Sequence, residues 1–131
     1  MRYFTRVTYI PRITDYHFSQ AKFPPATTEI DYYISTWGFL HVIDCPSTFK
    51  SFVSTFWLRL QSDSSRVLIL RSATPPSVSN SYFNASRIGV LYIPADYIDT
   101  YKAHDVWGKL SSKMQPVEGS KYEVFNEWEY D

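Results

Sequence analysis

Short apolar runs separated by turn residues dominate the middle and end of this chain. Leu40, Val42, Ile43 and Cys45 form one run, Val67 to Leu70 a second between Arg66 and Arg71, and Val90 to Ile93 a third. Runs of this length, rich in β-branched residues and bounded by proline or polar residues, predict strands. Val42, Leu68 and Leu91 mark their centres, 26 and 23 positions apart. Pro46 and Pro94 follow the first and third runs, where a fixed φ and a missing donor suit the junction between a strand and a helical segment. Behind Pro46, Phe49, Phe52, Val53, Phe56, Trp57 and Leu60 recur at helical spacing and predict an amphipathic helix over residues 48–60. Behind Pro94, Asp96 as cap, Tyr97, Tyr101 and Val106 to Trp107 near a helical spacing and Gly108 as stop predict a shorter helix, with a further helical turn bringing Leu110 and Met114 together before Pro116.

The two ends show a rhythm of two. From residue 121 to 131, Tyr122, Val124, Trp128 and Tyr130 alternate with Glu123, Phe125, Glu127 and Glu129, the pattern of a half-buried strand. Near the start, Tyr3, Thr5, Val7 and Tyr9 alternate with Arg2, Phe4, Arg6 and Thr8. Residues 19–28, with Pro24 and Pro25, read as a loop or extended arm. Strands at chain ends lie at sheet edges unless covered, so both ends are candidates for contact with partner subunits. The candidate partner-binding residues are Tyr3, Arg6, Tyr9, Tyr122, Phe125, Trp128 and Tyr130.

The spacing of the three runs falls within the roughly 20 to 29 residue period of strand-turn-helix repeats. The strand ending in Ala73-Thr74-Pro75-Pro76, a loop with an aromatic at Phe83, the strand ending in Ile93-Pro94, and the helix with Tyr101-Lys102-Ala103 and Trp107 together resemble the C-terminal end of BspA-like leucine-rich-repeat proteins. The match covers residues 66–117, more loosely 40–117, and leaves the first 39 residues aside. The resemblance implies an adhesive or recognition role rather than an enzymatic one, of the kind found on the surface of Bacteroides-type bacteria or in their phages. The fold expected is a single α/β or β-rich domain over residues 1–131. It holds two to three degenerate leucine-rich-repeat-like units at 40–117, an N-terminal β segment at 1–39 and a C-terminal strand at 118–131.

Composition narrows the function classes. A chain of 131 residues that is 44% hydrophobic, with eleven Tyr, nine Phe and four Trp, has material for one core. Its formal net charge is zero, so the basic field of a nucleic-acid binder is missing. A single cysteine excludes an internal disulfide framework. No stretch approaches the roughly 20 apolar residues of a membrane-spanning helix, and residues 1–11 lack the apolar run of a signal peptide. His41 and Cys45 share a strand face, but an apolar run is a poor place for an activated thiolate. His17 and His104 stand apart from any acidic cluster with ligand spacing. The aromatic excess suits either a sugar-stacking platform or a core built from large side chains, and the second is preferred.

These features lead to the expectation of a non-enzymatic structural or interaction protein without cofactors. It would be a subunit of a larger assembly such as a phage virion, in a decoration, fibre or adaptor role, with other protein subunits or further copies of itself as partners. The alternative is a bacterial cell-surface or secreted recognition module that binds host protein or glycan.

Overall fold

The computed structural model describes residues 2–3, 9–10, 20–22, 29–30, 42–52, 66–78, 88–125 and 127–128, the segments before residue 42 by their backbone alone. The strands are β1 (Arg2–Tyr3), β2 (Tyr9–Ile10), β3 (Gln20–Lys22), β4 (Glu29–Ile30), β5 (Val42–Cys45), β6 (Ser51–Phe52), β7 (Arg66–Leu70), β8 (Ile88–Ile93) and β9 (Met114–Pro116). Between the last two lie a 3₁₀ turn, Ala95–Tyr97, a short helix α1, Ile98–Lys102, and a 3₁₀ segment, Trp107–Lys113.

This is a small α/β fold built on a parallel sheet. Its order is β1-β3-β5-β7-β8-β9, and β5, β7, β8 and β9 carry the described core. Arg2, Ala21, Ile43, Leu68, Leu91 and Met114 form one row across it, each about 20 to 25 positions after the last. The row passes through Ile43, one residue beyond the Val42 expected from the sequence. Parallel neighbours require the chain to travel back outside the sheet after every strand. Part of that return forms a second parallel sheet, β2-β4-β6, which Ser77 prolongs by bridging to Ser51.

Alternation divides the strand residues between two faces. Ile43, Cys45, Leu68, Leu70, Leu91 and Ile93 are buried on the face toward the returning segments, where Phe49, Phe52, Tyr101, Trp107 and Leu110 are also buried. Phe49 and Phe52 meet edge to face at 4.7 Å, and Phe52 lies 5.8 Å from the Trp107 ring. Val42, Asp44, Ile69 and Tyr92 occupy the other face. Gly89 is the extra residue of a bulge, since Arg66 stands opposite Ile88 but Val67 opposite Val90.

Two side chains tie the helical return to the loop after β7. The Tyr101 hydroxyl donates to the Ser72 carbonyl at 2.8 Å, and the Trp107 indole N–H donates to the Pro76 carbonyl at 2.8 Å. The Ala-Thr-Pro-Pro loop is thus held by the two aromatic residues of the following helical stretch. His104 serves the same stretch: its Nδ1 accepts the backbone N–H groups of Val106 at 3.1 Å and Trp107 at 3.2 Å, satisfying donors that a helix start leaves open.

Several expected elements differ. Residues 48–52 are no helix: Phe49 closes a turn by donating its N–H to the Pro46 carbonyl, and Ser51–Phe52 is a strand of the second sheet. Phe49 and Phe52 are both buried because Phe49 ends that turn and Phe52 follows it in the strand, not because they share a helical face. Residues 53–65 lie outside the described residues. Leu110 and Met114 are both buried, but Met114 opens β9 instead of ending a helix. Gly108 is not a helix stop either. It sits inside the 3₁₀ segment, where a Cβ would stand 2.6 Å from the Lys102 carbonyl oxygen. The strand segments before residue 42 do not flank the sheets but belong to them, with Gln20–Lys22 paired between β1 and β5 where an arm was expected. Asp96 lies within the 3₁₀ turn, whose first residue, Ala95, donates its N–H to the Glu118 carboxylate at 2.9 Å.

Trp107→Ala should lower stability by about 3 to 5 kcal/mol, through lost burial and the orphaned Pro76 carbonyl, read as a lower urea midpoint. Gly108→Ala should lower it by about 1 to 3 kcal/mol, because the added methyl meets backbone that cannot swing aside. A Gly108→Ala melt that overlays the parent would show that this close approach is not a constraint.

Candidate functional site

The outer face of the sheet carries a charge at its centre. Asp44 lies in β5 among Val42, Ile43 and Cys45 and is fully buried. A buried carboxylate is tolerated only when paired and hydrogen-bonded. Arg71, the residue after β7, supplies a fork: Nε donates to Oδ1 at 2.8 Å and Nη2 to Oδ2 at 2.9 Å. The Trp128 indole N–H adds a third bond, to Oδ2 at 2.7 Å. The parallel register sets this geometry, since Cys45 stands opposite Leu70 and so brings the residue after β7 beside Asp44.

Arg71 reaches the tail as well. It donates to the carbonyls of Tyr122 and of Glu123, the latter at 3.0 Å, and its guanidinium lies 5.5 Å from the Phe125 ring centre. Tyr122 and Trp128 pack edge to face at 5.1 Å, and Tyr122 meets Tyr92 at 5.4 Å. With Val42, Ile69 and Val117 they form a buried cluster, against which Val67 and Tyr92 pack. The tail is thus a lid on the sheet, pinned by one ion pair and two aromatic rings.

Residues 118–125 are turns and bends where a C-terminal strand was expected. Gly119 has a positive φ of 84°, and its N–H donates to the Glu123 carboxylate at 2.8 Å. Local bonds of this kind, with Ser120 donating to the Val117 carbonyl at 2.7 Å, fold the segment on itself and override the alternation. Val124 is correspondingly 47% exposed, on the supposedly apolar side.

The candidate partner-binding residues divide as follows. Tyr122 and Trp128 place their rings against the chain's own sheet, and Phe125 is half-buried beneath Arg71. Tyr3 and Tyr9 lie in β1 and β2, in different sheets, and not in one N-terminal strand. Arg6 and Tyr130 lie outside the described residues, as do His17, His41, Phe83 and residues 79–87. Sequence reasoning missed Asp44 and Arg71. The signal was a lone carboxylate inside an apolar run, which demands a buried partner.

Cys45 is fully buried, and burial above all, then the neighbouring Asp44 carboxylate, pushes its thiol well above the usual range, with Arg71 only partly opposing. That is the opposite of an activated thiolate. Burial likewise raises the Tyr101 hydroxyl above the usual phenol range, against the opposing bond to Ser72. No group of three or more His, Cys, Asp or Glu is placed to hold a metal among the described residues. Phe49, Phe52, Tyr101, Trp107, Tyr122 and Trp128 are core, so these six form no exposed sugar-stacking platform. An open depression of about 460 Å³ lies beyond the C-terminal ends of β5 and β7, lined by residues 47–50 and 72–75, among them Thr48, Lys50 and Thr74. No helix among the described residues is long and apolar enough to cross a membrane.

Comparison with protein-family models, with curated proteins and with solved structures finds no match to this chain.

Arg71→Ala should lower stability by about 3 to 5 kcal/mol, because it strands the Asp44 carboxylate in the core. Asp44→Leu in the same chain should recover part of that loss, a non-additivity visible in urea midpoints. Removing residues 121–131 uncovers Val42, Ile69 and Tyr92 and should destabilise the whole domain, not merely detach a docking strand.

A second expectation concerns pH. Cys45 and Tyr101 both have folded-state values above their unfolded ones, so both favour the protonated form in the fold. The stability they contribute is intact below the unfolded values of about 8.5 and 10 and is lost as pH rises toward the folded ones. The thermal midpoint should therefore fall from about pH 9 upward. Cys45→Ala and Tyr101→Phe should each flatten that fall, and an unchanged slope in both would show that neither group drives it.

Proposed function

We propose that this chain is a non-enzymatic structural or interaction protein, built of degenerate leucine-rich-repeat-like units and serving as a subunit of a larger assembly such as a phage virion. The observation that carries the reading is the order of the main sheet. Each strand pairs in parallel with the next strand of that sheet along the chain, at a nearly even interval, while a second sheet follows the same progression. Stacked coils of this kind bury their faces against their neighbours and present long, regular flanks. Such flanks suit contact with other proteins.

The strap that Tyr101 and Trp107 make over residues 72–76 adds support, because it joins the same residues on which the resemblance to BspA-like proteins rests. A second reading, a cell-surface recognition module, draws on the open depression beside residues 47–50 and 72–75, whose hydroxyl groups and Lys50 suit a polar ligand.

Size-exclusion chromatography with light scattering on the full chain tests the first reading. A defined oligomer, stable on dilution, is expected. A strict monomer that binds glycan, with affinity reduced by Thr74→Ala or Lys50→Ala, would favour the second reading instead.

A further inference from the structure

β9 is the outermost strand of the main sheet, with β8 on one side and no strand on the other among the described residues. A bare edge of this kind is a template for strand addition. Which backbone groups point outward follows from the ladder. Leu91, Tyr92 and Ile93 stand opposite Met114, Gln115 and Pro116. Val117 donates its N–H to the Ile93 carbonyl at 2.9 Å. Bonding residues alternate along a strand, so Gln115 and Val117 face β8 while Met114 and Pro116 face out.

Neither outward residue has a donor to offer. The Met114 N–H already donates to the Ser111 carbonyl, where the 3₁₀ segment ends. Pro116 has no N–H at all.

We propose that β9 is a closed edge, at which a strand from a second copy of this chain does not add. The most direct addition would place two copies about a two-fold axis through Gln115. Met114 of each copy would then meet Pro116 of the other, and such opposed residues normally exchange both of their N–H to carbonyl bonds. All four bonds would need a Met114 or a Pro116 donor, and none is available. Pairing would instead remove four carbonyls from water without replacing their hydrogen bonds. Gln115 and Pro116 are exposed, so the edge is protected by its missing donors and not by a cover. The inference stands apart from the assembly reading: if copies associate, they do so through other surfaces.

Disulfide trapping tests it. In the two-fold arrangement Gln115 would face its counterpart with Cα atoms about 4.5 Å apart, within the roughly 4.4 to 6.8 Å that a disulfide spans. Cys45 is buried and does not compete. The full chain carrying Gln115→Cys is oxidised mildly, with Pro116 intact and with Pro116→Val, and Lys102→Cys on the exposed side of α1 reports random collision. With Pro116 intact, the Gln115→Cys dimer fraction should not exceed that of Lys102→Cys. With Pro116→Val it should rise severalfold, and Pro116→Ala serves in its place if the valine chain does not fold. Efficient linkage with Pro116 intact would overturn the closed edge by itself. Equal linkage in both backgrounds would overturn the assignment to Pro116.

Discussion

A ladder of parallel strands, each bonded to the next strand of the same sheet along the chain, is the constraint from which the other features follow. It sends the backbone back outside the sheet after every strand, and it leaves both faces of the sheet to be covered. The inner face is covered by the returning segments themselves, through Phe49, Phe52, Tyr101, Trp107 and Leu110. Among the described residues, no return segment lies on the outer face of β5, β7 and β8. The tail does so, with Val117, Tyr122 and Trp128.

Covering a flat apolar face with a turn-rich segment raises a problem of registration, since apolar contacts alone permit sliding. Asp44 removes that freedom. Its carboxylate fixes the Arg71 fork and the Trp128 indole at once, and Arg71 in turn holds two tail carbonyls. A buried ion pair is weak evidence for stability, but it specifies position well when each donor has a single place to go. Here it fixes where the tail lies across the strands.

β5, β7 and β8 were legible in the sequence because their apolar runs are short, β-branched and bounded by turn residues. Leu68 and Leu91 fall opposite each other as their spacing indicated, and Val42 misses the row by one position. The burial of Leu68, Leu70, Leu91, Ile93, Tyr101 and Trp107 could be read from the same pattern. Phe49 and Phe52 misled, because a turn followed by a strand reproduces a three-residue spacing and only the partner at Ser77 decides between them. Tyr122 to Trp128 misled in the opposite way: a period of two was real in the letters, but Gly119 and the local bonds of Glu123 and Ser120 bent the backbone out of a strand. The Asp44 site depends on residues 27 and 84 positions away, a distance over which no local pattern operates.

That separation has a kinetic side. Synthesis proceeds from the amino end, so Asp44 and Arg71 leave the ribosome well before Trp128 exists. Until then Val42, Ile69 and Tyr92 form a bare apolar strip on a nascent sheet, with a carboxylate and a guanidinium that can stay hydrated only while the strip is open. Docking of the tail must therefore dehydrate an ion pair and close a long loop together, and contacts of such sequence separation are slow to form. While the tail is undocked, that strip is the kind of exposed apolar surface through which partly folded chains associate.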